Sequence, residues 1–267
     1  MTEHATVQAP QQQTWAAGDY AMIAGVTVLA SELLCEAVDL RAGQRVLDVA
    51  TGSGNTALAA ARRWCDVTGL DFVPALLERA RARAAAEQVP ITFRKGDAEH
   101  LPVPDEAFDV VLSTFGVMFA PDQEQAAREL LRVCRPGGKI GLANWTPDGF
   151  TGQGARVRAQ YVPPPPGLST PTLWETEEGL RTLFGAGIAA LHITRRSVIY
   201  RYRSAEHYLD HYRTYFGPTM RVFDTLPAEG QSRLRQALLE NIHRFNQSGD
   251  ATMVVPCDYL EVVAIKS

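Results

Sequence analysis

Strand-like and helix-like segments alternate five times over about a hundred residues, and this alternation constrains the fold more than any other feature. Helical spacing separates short apolar runs, which predict five strands at 45–50, 66–71, 91–95, 108–113 and 139–145. Strands alternating with helices favour a parallel sheet that helices cover on both faces. Such sheets bind ligands at the carboxyl ends of their strands.

The flanking segments have other patterns. Residues 1–14 are polar and rich in Gln, which predicts a flexible tail. A helix is expected from Tyr20 to just before Gly43, with an apolar face made of Met22, Val26, Leu29, Leu33 and Ala37. Residues 146–172 contain the proline run 163–166 and are expected to form a loop that acts as a spacer.

The C-terminal third predicts a smaller set of elements. Helices are expected at 175–184, 205–215 and 228–246, and strands at 192–202 and 253–265. We expect these two late strands to pair antiparallel at one edge of the sheet.

The first strand runs through Asp48 into a glycine turn, Thr51-Gly52-Ser53-Gly54, and then into a helix that can begin at Asn55. Glycines let a ligand approach the backbone closely, and the amide groups at a helix start attract a negative group. The turn alone is not specific, because nicotinamide-binding folds also contain it.

The second strand ends in Asp71, seventeen residues after Gly54. A carboxylate at this point can accept hydrogen bonds from both hydroxyls of a ribose, and Phe72 beside it can face an adenine ring. The alternative is that Asp71 caps the helix that starts near Pro74. The two roles are compatible.

The third and fourth strands also end in polar residues. Asp97 and Ala98 follow the third strand, where a carboxylate can accept a hydrogen bond from the adenine amino group; a simple turn is the alternative. Ser113 ends the fourth strand at the same predicted cleft.

Taken together, these segments resemble the class I S-adenosylmethionine-dependent methyltransferases, in the group of the ubiquinone and menaquinone biosynthesis enzymes. The resemblance rests on Asp71 and on four runs within 46–145, at 46–54, 96–102, 108–109 and 131–138, the last ending in Arg-Pro-Gly-Gly. It implies an α/β fold with a seven-stranded, mostly parallel, doubly wound sheet. The last strand would be antiparallel, an N-terminal helix would precede the sheet, and a helical insertion would separate the last two strands.

The same resemblance implies a domain organisation. After the tail, residues 15–267 would form a single domain. Its core would span 43–145, a substrate-side lid and insertion 146–250, and the final strand 252–266.

The resemblance implies S-adenosylmethionine as cofactor and S-adenosylhomocysteine as product. The backbone at Gly52 and Gly54 would lie beside the methionine part of the cofactor. Asp71 would hold the ribose, and Phe72 would cover the adenine. The full implied set is Tyr20, Ala50, Thr51, Gly52, Ser53, Gly54, Asn55, Asp71, Phe72, Asp97, Ala98 and Ser113. The sequence departs from the group pattern twice: Asn55 stands for the last glycine of Gly-x-Gly-x-Gly, and Ala50 stands where many relatives have glycine or a larger residue.

An aromatic cluster in the C-terminal part predicts the acceptor pocket. The candidate acceptor-binding residues are Trp15, Trp145, Tyr161, Trp174, Tyr208 and Tyr212, and a flat, partly apolar or aromatic metabolite suits them. His207 and His211 lie one helical turn apart and are candidate bases. The alternative is a helix that packs its tyrosines against the sheet. A metal site is not expected, because the pair lacks a third ligand.

Two other functions remain open from the sequence. One is S-adenosylmethionine binding without methyl transfer, as in a cyclase-like protein or a scaffold, and the other is a nicotinamide-dependent oxidoreductase. Composition narrows the partners: 26 Lys and Arg against 30 Asp and Glu give a net charge of −4, which disfavours nucleic acid. Without an evident long apolar run or signal peptide, we expect a cytoplasmic protein with no membrane span and a small-molecule substrate, as monomer or homodimer.

Overall fold

The computed structural model describes residues 11–163 and 173–267, and its central element is a seven-stranded sheet. Its strands are β1 (Arg45–Val49), β2 (Asp66–Asp71), β3 (Ile91–Lys95), β4 (Phe108–Thr114), β5 (Cys134–Trp145), β6 (Ile188–Tyr202) and β7 (Met253–Lys266). The strand order is β3-β2-β1-β4-β5-β7-β6. The first five strands pair in parallel, and the β7-β6 edge is antiparallel. This confirms the predicted fold class.

Ten α-helices are found in the described residues. They are α1 (Tyr20–Ala24), α2 (Val28–Ala37), α3 (Asn55–Ala61), α4 (Pro74–Glu87), α5 (Gln123–Val133), α6 (Phe150–Tyr161), α7 (Glu177–Phe184), α8 (Ala205–Tyr215), α9 (Gly217–Thr225) and α10 (Ala228–Phe245). In addition, residues 11–16 are helical, which corrects the predicted tail where it covers residues 11–14.

The chain forms two compact units. The first, which we call the core unit, comprises Thr27–Asn144, Ser169–Arg196 and Leu260–Ser267. The second, the aromatic unit, comprises Met1–Val26, Trp145–Leu168 and Ser197–Tyr259. In the core unit, β1 and β4 are almost wholly buried, as expected for parallel strands covered by helices on both faces.

The largest error of the sequence reading is at residues 146–172, which were expected to be a loop. Residues 150–161 form helix α6 instead, although Gly152 and Gly154 are poor helix formers. Gly152 is needed there because a Cβ at this position would collide with the carbonyl oxygen of Thr146. Tertiary packing therefore overrides propensity. The rest of the predicted loop, residues 164–172 with most of its proline run, lies outside the described residues.

Two smaller corrections concern turns. The Arg135-Pro-Gly-Gly138 run was expected to separate a helix from a strand at 139, but β5 already begins at Cys134. Gly137 adopts a φ of +69°, and the pairing with β4 shifts register between Phe108 and Val110. Helix α9 was not predicted at all.

The buried face of the first long helical segment also differs from the prediction. Met22 and Leu29 are 50% and 58% exposed, whereas Ala30 and Leu34 are fully buried. Helix α2 packs on α3 within the core unit. The segment is apolar on nearly every side, so periodicity could not identify the side that packs.

The same apolar character explains a further observation. The stretch Tyr20–Ala37 is long and apolar enough to cross a membrane, with a mean hydropathy of 1.4. This is weak support for a span, because core helices of soluble proteins meet the same criterion and α2 contributes fully buried side chains to the core. The absence of a membrane span stays a prediction.

The corrected face can be tested with two leucines of α2. Leu34→Ala should lower the free energy of unfolding by about 2–5 kcal/mol, because it leaves a cavity in the core. Leu29→Ala, the matched control on the exposed side, should change it by less than about 0.5 kcal/mol. Urea denaturation followed by circular dichroism measures both. Equal effects of the two substitutions would contradict the observed face.

Candidate cofactor site

The loop between β1 and α3 has an unusual backbone. Ala50, Gly52 and Gly54 adopt φ angles of +55°, +55° and +90°, so every second residue is left-handed. Glycine adopts this conformation freely, whereas alanine does so at a cost of order 1–2 kcal/mol. The departure from a three-glycine pattern therefore falls at Ala50, and Asn55, the first residue of α3, does not replace a glycine.

The loop after β4 leaves space for the side chain of Ala50. A Cβ on Gly116, just after β4, would lie 2.7 Å from the Ala50 Cβ. Gly116 therefore provides the space that the Ala50 methyl group occupies.

Asp48 at the end of β1 is 1% exposed. Its Oδ2 accepts hydrogen bonds from the Thr51 hydroxyl at 2.5 Å and from the Ala57 backbone N–H at 3.0 Å. Burial raises the pKa of this carboxyl to about 7, although both hydrogen bonds act in the opposite direction. Asp48 was part of the sequence motif but was not chosen as a site residue; its place before the glycine turn was the available signal.

Asp71 at the end of β2 is also buried, and both of its carboxylate oxygens are engaged. Oδ2 accepts from the Gly52 N–H at 2.8 Å and Oδ1 from the Val73 N–H at 2.8 Å. Burial raises the pKa of Asp71 to about 6, against the effect of these hydrogen bonds. Asp71 therefore joins the glycine loop to the turn before α4. Each oxygen can accept a further bond, so the ribose role stays a prediction.

The loop after β3 is tied to the same place. The Gly96 N–H donates to the Asp71 carbonyl at 3.0 Å. Asp97 accepts from the Glu99 N–H at 3.1 Å, which is the turn role, and its side chain is half-buried. Phe72 and Ala98 are half-buried as well. The adenine roles of these residues stay predictions.

Ser113, near the end of β4, is engaged by the backbone on both sides. It is fully buried, its hydroxyl donates to the Val49 carbonyl at 2.7 Å, and it accepts from the Val117 N–H at 2.9 Å. Ser113 thus supports the end of β1, and its cofactor role stays a prediction.

Arg83 on α4 was missed by the sequence reading. Its Nη1 donates to the Ser53 carbonyl at 2.7 Å and to the Asn55 Oδ1 at 2.7 Å, and it lies 3.3 Å from the Ser53 hydroxyl. One guanidinium therefore holds both ends of the turn that leads into α3. An arginine in an exposed-looking helix carries no sequence signal for this role.

The aromatic unit contains most of the predicted acceptor residues. Tyr208 and Tyr212 are buried, with ring centroids 4.2 Å apart, and Trp145 contacts Tyr200 edge-on at 6.3 Å. Trp15 and Tyr20 form a second group with Phe216. Tyr202 lies 5.7 Å from the rings of both candidate bases, His207 and His211.

Two other predicted acceptor residues make contacts of a structural kind. Trp174 belongs to the core unit, is fully buried and packs edge-on against Phe184, so it is a core residue. Tyr161 is at the end of α6 and its hydroxyl donates to the Arg233 carbonyl at 3.1 Å. The histidines are also engaged: the His211 Nε2 lies 3.2 Å from the Met22 carbonyl, and the His207 Nδ1 accepts from the Arg203 N–H at 3.4 Å.

Comparisons with known proteins agree with this geometry. A family model described as a methyltransferase domain matches residues 47–142. An uncharacterized protein of Mycobacterium tuberculosis is 39% identical over 227 residues, which are 83% of this chain and 82% of that protein. The demethylmenaquinone methyltransferase of Deinococcus radiodurans is 42% identical over 125 residues, covering 45% of this chain and 52% of that enzyme.

A solved structure shares the fold. The YcgJ protein of Bacillus subtilis superposes with a TM-score of 0.63 at 22% identity, covering 89% of this chain and 98% of that one. Fold, glycine loop and family match together define a class I S-adenosylmethionine-dependent methyltransferase. The chain belongs to this family, in the ubiquinone and menaquinone type that the sequence motifs indicated, and S-adenosylmethionine is its cofactor.

The contribution of Arg83 can be measured directly. Arg83→Ala should weaken S-adenosylhomocysteine binding by about fivefold, close to 1 kcal/mol, because a looser loop loses more entropy on binding. Arg81→Ala is the control: Arg81 is on the same helix and bonds the Phe93 carbonyl of β3, with no hydrogen bond to the glycine loop among the described residues. Isothermal titration calorimetry measures both. If the two variants bind equally well, Arg83 does not position the loop.

Proposed function

We propose that this protein transfers the methyl group of S-adenosylmethionine to a small, partly apolar or aromatic metabolite. The observation that carries the proposal is the pair of buried carboxylates, Asp48 and Asp71, at the ends of neighbouring strands around a left-handed glycine loop. The cofactor supplies a methyl group on a sulfonium, which is a good leaving group, so the chain's own residues need only bind, orient and exclude water.

The residues of the core unit fit this cofactor. Asp71 is buried with a raised pKa, and hydroxyl donors such as those of a ribose would stabilise its charged form. The backbone at Gly52 and Gly54 has no side chain that would block the methionine part. Phe72, Asp97 and Ala98 are the residues that we assign to the adenine, and Ala50, Thr51, Ser53 and Asn55 shape the loop.

The acceptor is assigned to the aromatic unit. Tyr208 and Tyr212, together with Trp15 and Trp145, offer faces suited to a flat apolar molecule. The demethylmenaquinone methyltransferase among the relatives, whose name describes an enzyme of quinone methylation, supports an aromatic acceptor.

A base is required only if the acceptor is a poorly ionised hydroxyl or an acidic carbon. Burial raises the pKa of Tyr208 and Tyr212 well above the ordinary value, so both stay protonated near neutral pH and serve as donors. His207 or His211 is then our candidate base. The wider setting belongs to the same proposal: a cytoplasmic monomer or homodimer that acts on a small molecule and not on nucleic acid.

The proposal is tested by binding and by turnover. S-adenosylhomocysteine should bind in isothermal titration calorimetry, and labelled methyl groups from S-adenosylmethionine should appear in compounds of a metabolite extract. Binding without label transfer would favour the cyclase-like or scaffold alternative. Binding of NADH in place of S-adenosylhomocysteine would favour the oxidoreductase.

The ribose role of Asp71 has a pH signature. A raised pKa in the folded chain means that Asp71 favours folding less as pH rises from about 4 through about 6. Ribose hydroxyls favour the carboxylate, so binding at pH 6 should release protons and S-adenosylhomocysteine affinity should fall as pH drops below about 6. Calorimetry in buffers of different ionisation enthalpy measures the proton release.

The matching variant is Asp71→Ala. It should weaken S-adenosylhomocysteine binding by at least about tenfold at pH 8, roughly 1.4 kcal/mol, and reduce the proton release at pH 6. Asp66→Asn, at the exposed start of the same strand, is the control and should leave affinity unchanged. Unchanged affinity of the Asp71→Ala protein would remove this residue from the ribose role.

A further inference from the structure

Helix α6 carries a cation inside the aromatic unit. Arg158 is half-buried, and its Nη1 folds back toward Gly154, 3.6 Å from where a Cβ of residue 154 would stand. Among the residues that the structure describes, 11–163 and 173–267, no carboxylate lies within ion-pair distance of this guanidinium. Two other half-buried arginines do have such partners: Arg63 pairs with Glu32 and Arg132 with Glu129.

The neighbours of Arg158 are tyrosines. Burial lowers the pKa of Arg158, and Tyr208 and Tyr212, two buried residues of α8, are the groups whose charge would act in the opposite direction. The Tyr212 hydroxyl also interacts with that of Tyr200, so three phenols form one polar group. Phe150, at the start of α6, packs on the Tyr208 ring at 5.5 Å. This ring contact ties the start of α6 to the tyrosines of α8.

A second polar group lies on the same face of α6. Thr151 precedes Arg158 by seven residues, which is two helical turns, and Gly154 stands between them. The Thr151 hydroxyl is buried and has no hydrogen-bond partner among the described residues. An unpartnered buried hydroxyl is uncommon and calls for a ligand or a water.

The electrostatics of this group favour one kind of ligand. Burial lowers the pKa of Arg158, because removal from water disfavours the charged form, and raises the pKa of the tyrosines, which stay neutral O–H donors. The group thus presents donors and one positive charge, with no negative charge to balance them. An anion would supply the missing counter-charge and acceptors.

We propose that Arg158, with Tyr208, Tyr212 and Thr151, binds the carboxylate of an aromatic acid, and that this acid is the methyl acceptor. A guanidinium matches a planar carboxylate with two parallel hydrogen bonds, and the aromatic rings around it suit the flat body of the ligand. The role of this acid as methyl acceptor rests on the proposed function, whereas the anion site itself does not depend on methyl transfer.

The test uses benzoate and its neutral counterpart benzamide, which have nearly the same size and shape. Calorimetry or ligand-observed NMR on the full chain, with and without S-adenosylhomocysteine, should show benzoate binding at least tenfold tighter than benzamide. Arg158→Gln should remove this preference, and Arg158→Lys, which keeps the charge but loses the planar fork, should lie between. Arg156→Gln, an exposed arginine of the same helix, is the matched control and should bind benzoate like the native chain.

Three outcomes would overturn the proposal. They are equal binding of benzoate and benzamide, no binding of either at about 10 mM, and benzoate binding that survives Arg158→Gln. If the Arg158→Gln chain does not fold, as judged by circular dichroism, the benzoate-to-benzamide ratio of the native chain still decides.

The S-adenosylhomocysteine titration is a separate measurement and separates this proposal from the previous one. If S-adenosylhomocysteine does not bind but the chain still prefers benzoate to benzamide, the proposed methyl transfer is contradicted and the anion site is not. If S-adenosylhomocysteine binds but benzoate is not preferred to benzamide, only the anion site is contradicted.

Discussion

The hydrogen bonds of the Asp71 carboxylate are the constraint on which the cofactor site depends. One oxygen accepts from the Gly52 N–H and the other from the Val73 N–H, so a single buried side chain joins the loops that follow β1 and β2. The Gly96 N–H attaches the third loop through the Asp71 carbonyl. Three strand ends are thereby fixed relative to one another before any ligand arrives, which lowers the entropy lost on binding.

The strained loop is stable only because its surroundings fit it. Ala50 holds a left-handed conformation that alanine disfavours, and the glycine at position 116 makes room for its methyl group. The Ser113 hydroxyl supports the end of β1, and Arg83 holds the turn from the other side. These residues contact the loop and not the expected ligand position, so they stabilise the backbone conformation of the loop between β1 and α3.

The sequence predicted the parts of the fold in which local preference and tertiary packing agree. Strands β2 and β3 were predicted to the residue, and helix α4 starts at Pro74, near which a helix was expected to begin. Prediction failed where packing overrides local preference. Helix α6 was missed because Gly152 and Gly154 are poor helix formers. The buried leucines of α2 were not identified because this segment is apolar on nearly every side. The acids at strand ends follow from their position in the motif. Arg83 and Arg158 could not be predicted, because nothing in the sequence shows which arginines of a polar helix face meet a loop or a tyrosine.

The two units bury charges of opposite sign, and this contrast bears on how ligands are recognised. In the core unit, Asp48 and Asp71 have raised pKa values because burial opposes their ionisation; in the aromatic unit, burial lowers the pKa of Arg158. Removal from water disfavours the charged form of each of these groups in the ligand-free chain. A ligand of complementary charge or hydrogen-bonding character offsets that cost only when it binds the folded state, so binding and folding stability are linked at both places. Buried ionisable groups that lack a counter-charge are therefore the common basis of both proposals: hydroxyl donors at the acids and an anion at the arginine.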